Sequence, residues 1–144
     1  MERSTTILRS ALGALMILAG IQHFRDPAMY APFIPDALPK NLITYLSGAL
    51  EILLGAGVFV PRYRSMATLG ILILMIVFLP LHVVDVFRAE PAIGSTLLAY
   101  VRLPLQFVLI AWAWYVNRQI VKSSATEGPM HRPRDGQDVR THRS

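Results

Sequence analysis

The chain alternates long apolar runs with short polar connections. Four runs stand out: Ile7 to Phe24, Leu42 to Val60, Met66 to Phe87 and Thr96 to Val116. A membrane-spanning helix needs about 20 mainly apolar residues, because hydrocarbon offers backbone groups no partners. The pattern therefore predicts an all-α integral membrane protein, a four-helix transmembrane bundle. Arg9 falls one turn inside the first run and can snorkel to the interface. Ala11 to Ile21 also has the length of a signal-peptide core, but no clean small-x-small cleavage site precedes His23.

The connections are short. The longest, Arg25 to Asn41, holds Pro27, Pro32, Pro35 and Pro39 among Met29, Tyr30, Phe33, Ile34 and Leu38. Stiff and half apolar, it is expected to lie across the outer mouth of the bundle, between the first and second helices. Pro61 to Ser65 carries Arg62 and Arg64, and Arg88 to Ser95 includes Pro91 and Gly94. Trp112 and Trp114 read as belt residues, with Trp114 and Tyr115 as interfacial anchors. The membrane domain is thus expected over residues 5–116. Residues 117–144 are expected to form a polar, disordered cytoplasmic tail. There is no internal repeat.

Composition supports this reading. Of 144 residues, 53% are hydrophobic and 16% charged, and the mean hydropathy is +0.45; soluble domains carry about a quarter charged residues. A net charge of +5 and a pI of about 10.1 would suit nucleic acid, but the basic residues lie between and after the apolar runs. There they act as topogenic charges, and the bilayer is the expected partner. With both termini cytoplasmic, that side holds Arg3, Arg9, Arg62, Arg64, Arg118 and Lys122, and the far side Arg25, Lys40 and Arg88. The bias favours a multi-pass protein of the inner (plasma) membrane with both ends inside. The chain has no cysteine, which removes thiolate nucleophiles, disulfide exchange and cysteine-ligated metals.

The polar residues inside the runs carry the candidate chemistry. In this topology Glu51 lies about 15 Å below the outer surface, near the midplane, at ~1.5 Å per residue. Arg102 lies about 10 Å deep with Gln106 one turn below it. His23, His82 and Asp85 fall nearer the outer surface. The inner half holds almost no ionisable side chain. Gly48, Glu51 and Gly55 share one helix face, so Glu51 is expected to point into the bundle between two close helix contacts. It reads as a structural ion pair with Arg102, as a ligand or proton site, or as a neutral carboxyl. His82 and Asp85 share a face, as an oriented base or a pair of metal ligands; two histidines in the spanning region argue against a metal. His23 reads as a helix-end residue or a ligand. Pro80 and Pro104 free the carbonyls of Ile76 and Tyr100, which then need donors.

Several segments together resemble the DoxX family of small four-helix membrane proteins. These are GIQHFRDPAMY from Gly20, SGALEILLGAGVFVPRYR from Ser47, FLPLH from Phe78 and RLPLQ from Arg102, followed by Trp112. The resemblance spans roughly residues 5 to 116. It implies an accessory subunit of a membrane redox system, or a partner in the biogenesis of other proteins. His82 departs from the asparagine often found after the third-helix proline in that family.

The expected function is a redox accessory subunit without haem or other intrinsic cofactor, whose outer pocket binds a quinone. Arg102, Gln106 and His23 would donate to the quinone carbonyls, and Glu51 or His82 with Asp85 would relay protons. Electrons would come from a redox partner protein. Tyr30 and Phe33 form a lid over the pocket or, in the rival reading of a non-catalytic partner or chaperone, a docking surface. A small lipid-binding or transport protein is the third reading. Whether the chain is itself an enzyme stays open.

Overall fold

The computed structural model describes residues 2–92 and 94–126. Four α-helices contain most of them: α1 (Glu2–Arg25), α2 (Lys40–Gly57), α3 (Arg64–Val86) and α4 (Thr96–Thr126). Two short 3₁₀ turns, Pro27–Met29 and Ala31–Phe33, occupy the connection between α1 and α2. Among the described residues there is no strand.

Three helices, α1, α3 and α4, are long and apolar enough to cross a membrane. The chain has the make-up of a multi-pass membrane protein. The second expected span is the exception. α2 has 18 residues, about 27 Å at 1.5 Å per residue, and carries Lys40 and Glu51. At the other extreme, α4 runs for 31 residues, past the expected end at Val116. Residues 117–126 are helical where a disordered tail was expected; the rest of that tail, 127–144, lies outside the described residues. The extension is held by packing: Val116 and Ile120 are buried in the core, and Arg118 lies over the Trp114 ring at 4.5 Å. Trp114 is exposed, as an anchor should be. Trp112 packs against the core instead, so the belt role does not extend to it.

The helices pack as two antiparallel hairpins, α1 with α2 and α3 with α4. In the first, glycines bring backbone against backbone. A Cβ on Gly20 would stand 2.6 Å from the Gly48 carbonyl oxygen, and one on Gly55 would stand 2.7 Å from that of Gly13. These two contacts are seven residues apart on each helix, so they recur along one seam. Without a hydrophobic drive between helices in lipid, such close van der Waals approach holds them together.

The end of the bundle holding the α2–α3 connection is solid. Leu12, Met16, Val58, Ile71, Leu74, Ala113 and Val116 form its buried core. The opposite end carries residues 26–39, tied down by Arg88, whose Nη1 donates to the Pro32 carbonyl at 2.8 Å. There Asp85, on the last turn of α3, accepts a hydrogen bond from the Ala92 backbone N–H and so fastens the α3–α4 connection. Gly94 completes that connection with φ +82°.

Two outcomes are expected. Gly20→Ala and Gly48→Ala should each cost roughly 1–3 kcal/mol of stability, because the new methyl meets backbone. Gly70→Ala should cost less, since it meets only the flexible tip of Leu54. Denaturant titration in mild detergent measures all three. Asp85→Leu should cost about 1–3 kcal/mol by orphaning the Ala92 N–H, and Asp85→Asn less, because it keeps an acceptor. Faster amide exchange confined to the α3–α4 connection is the matching signature.

Candidate functional site

The end under residues 26–39 is hollow. A cavity of about 280 Å³ lies among all four helices. Its walls are mainly apolar: Leu12, Leu15, Met16 and Ala19 from α1, Ile43 from α2, Phe78 and Leu81 from α3, Leu105 and Leu109 from α4. Against this lining stand His23, Thr44, Glu51, His82, Arg102 and Gln106. Seven of the eight expected site residues, Tyr30 and Phe33 included, line one cavity, though they come from all four helices and the loop. Asp85 does not.

Glu51 is 3% exposed. Its partner is His23, whose Nε2 lies 3.5 Å from Oε1. The expected pairing with Arg102 is not formed. The reason lies in the α1–α2 seam: a Cβ on Gly48 would touch the His23 Cβ at 2.6 Å, so this contact carries His23 to within reach of Glu51 one turn along. Arg102, on α4, instead lies over the Phe33 ring at 4.6 Å, a cation–π contact. His23 therefore belongs to the buried site.

Tyr30 stacks on the His23 ring with centroids 3.6 Å apart. Burial raises the pKa of its hydroxyl above the ordinary 10.0, and the Glu51 carboxylate pushes the same way, against Arg102. The hydroxyl therefore stays protonated. Phe33 is buried and meets His82 edge-on at 6.5 Å. Both loop aromatics line the cavity and roof it.

Gln106 reaches across to α3, where its Nε2 donates to the Met75 carbonyl at 2.7 Å. The carbonyl freed by Pro80 is that of Ile76; Gln106 meets the neighbouring one, five residues before the proline. Neighbouring helices commonly satisfy backbone groups near a membrane proline in this way. With this bond made, the Gln106 amide is a strut between α3 and α4, and its N–H is less free for a ligand. His82 and Asp85 share a face as expected but serve different ends. His82 lines the cavity, while Asp85 turns to the Ala92 backbone. They form no base pair of the oriented kind. Among the described residues, no group of three or more His, Asp or Glu is placed to hold a metal.

Four polar atoms of the cavity residues are buried without a hydrogen-bond partner: His23 Nδ1, Thr44 Oγ1, Glu51 Oε2 and His82 Nδ1. Thr44 is a member that sequence reasoning missed. Its signal was available, since Thr44, Gly48, Glu51 and Gly55 continue one stripe at three- and four-residue spacing.

One family model matches residues 12–117, that of a domain of unknown function, DUF8561. No curated protein and no solved structure matches the chain. The resemblance to DoxX is thereby corrected: the matched segment is the one that carried it, and it belongs to another family. The motifs behind that resemblance have local physical roles. GxxExxxGxG builds the α1–α2 seam and places Glu51, and RxPxQ places a cation over Phe33 and a strut on Met75. By the extent of the match, this chain is a member of the DUF8561 family.

Proposed function

We propose that the cavity binds the head group of a membrane-dissolved ring compound bearing carbonyl oxygens, such as a quinone. The protein would then serve a membrane redox system as a subunit without a cofactor of its own. The observation that carries this reading is the set of four buried, unpartnered polar atoms around an apolar space. A buried polar group left unpaired costs about 1–3 kcal/mol, and a ligand in the cavity would supply partners.

The chemistry of the walls favours a neutral, electron-rich ring. Met16, Phe78 and Leu109 offer apolar surface. Arg102 supplies guanidinium donors, and His82 an imidazole, for carbonyl oxygens. The site is not built as a simple anion trap, because Glu51 shares the cavity with Arg102. Reduction of a quinone takes two electrons and two protons. The His23–Glu51 pair would hand on protons, and electrons would arrive from a partner protein. Small-molecule sites commonly hold about 300–1,000 Å³, so about 280 Å³ suits a single ring.

In this proposal α2 is a fourth span, short but buried against α1, in a plasma membrane. The lysine and arginine distribution supports both termini on the cytoplasmic side and the cavity in the outer half.

The test is native mass spectrometry of the protein in lipid nanodiscs with decyl-ubiquinone. One quinone per chain is expected. Arg102→Ala should weaken binding roughly 10- to 100-fold, as loss of a charge-assisted bond worth about 1.5–3 kcal/mol. Glu51→Gln should bind but fail to support reduction-linked proton uptake. A folded wild-type protein that takes up no quinone at saturating concentration would overturn the reading.

A further inference from the structure

The cavity has the loop over one end and the packed core at the other. Tyr30 and Phe33 roof it, with the loop tied down by Arg88. The packed core around Leu12, Met16 and Met75 forms its floor. The remaining wall is the side of the bundle, where the helix pairs differ in how closely they pack. Of the neighbouring helix pairs, α1 and α4 pack least closely. The two cavity-lining residues of these helices with the greatest exposure are Leu15, 39% exposed, and Leu105, 50% exposed. A lining side chain with that much exposure belongs to a wall one side chain thick, where displacing it would connect cavity and surroundings. Leu81 of α3 also reaches both, at 38%. Leu81 borders only helix pairs, α2–α3 and α3–α4, that pack more closely along their length than α1 and α4 do.

We propose that the α1–α4 seam is a lateral portal, with Leu15 and Leu105 as its jambs. Through it a molecule dissolved in the bilayer reaches the cavity, its apolar tail remaining between the helices or in lipid. The ligand class this selects is a tailed lipophile, such as a prenyl- or alkyl-substituted ring, and not a water-soluble metabolite. The identity of the head group rests on the function proposed above; the portal does not.

The absence of cysteine makes the test clean. Thr44→Cys introduces a single thiol on the cavity wall. In nanodiscs it is challenged with N-cyclohexylmaleimide, which partitions into lipid, and with a membrane-impermeant charged maleimide. The portal predicts labelling at least tenfold faster with the lipophilic reagent. Adding Leu105→Trp should slow that labelling tenfold or more, and Leu15→Trp likewise, with circular dichroism unchanged. Leu81→Trp should leave the rate within about threefold. Equal or faster labelling by the charged reagent would place access at the loop and overturn the proposal. So would indifference to both Leu15→Trp and Leu105→Trp, a slowing by Leu81→Trp alone, or no labelling by either reagent. Because no quinone is used, failure of quinone binding and failure of the portal are read separately.

Discussion

The backbone contact between α1 and α2 is the constraint from which the site follows. Gly20 against Gly48 and Gly13 against Gly55 bring the two helices closer than any residue with a Cβ would allow. Van der Waals approach of this kind is the main attraction open to helices surrounded by lipid. It also sets the site's chemistry, because the same approach puts His23 beside Glu51. A buried carboxylate is costly unless it has company. Here the company comes from the nearest helix.

The bundle divides its work along its length. The end with the α2–α3 connection is packed with Leu, Ile, Val, Met and Ala and holds the helices in register. The end under the loop gives up packing for space. Every titratable group of the cavity is there, and several are short of hydrogen bonds. Unpaired buried atoms and an open volume both cost stability, and the solid half offsets that cost. The struts from Gln106 to Met75 and from Arg88 to Pro32 keep the hollow half from collapsing. One half keeps its shape while the other holds the cavity.

The loop is part of the site as much as the helices are. Prolines at 27, 32, 35 and 39 shorten and stiffen it. Stiffness keeps Phe33 between Arg102 and His82, and Tyr30 flat on His23. Arg102 thereby finds a ring face where the sequence suggested a carboxylate. A cation over an aromatic ring is held without being neutralised, so its donors stay available to a ligand.

Much of this was legible in the chain itself. The apolar runs determined the all-α membrane class, since hydrocarbon leaves the backbone no other arrangement within a single segment. The three- and four-residue spacing of Gly48, Glu51 and Gly55 determined that Glu51 faces inward. The placement of His23, Glu51, His82 and Arg102 determined that the chemistry lies at one end. The partners were decided only by the tertiary structure. Spacing within a helix says which side chains share a face, but not which neighbouring helix that face meets. Glu51 therefore took His23 and not Arg102, Gln106 reached the Met75 carbonyl, and Asp85 left His82 for the Ala92 N–H. The length of α4 was likewise decided by contacts, because residues 117–126 are polar in sequence yet bury Asn117 and Ile120 against the core. Pairing across helices depends on their rotation and depth relative to one another, and those are set by all the contacts at once.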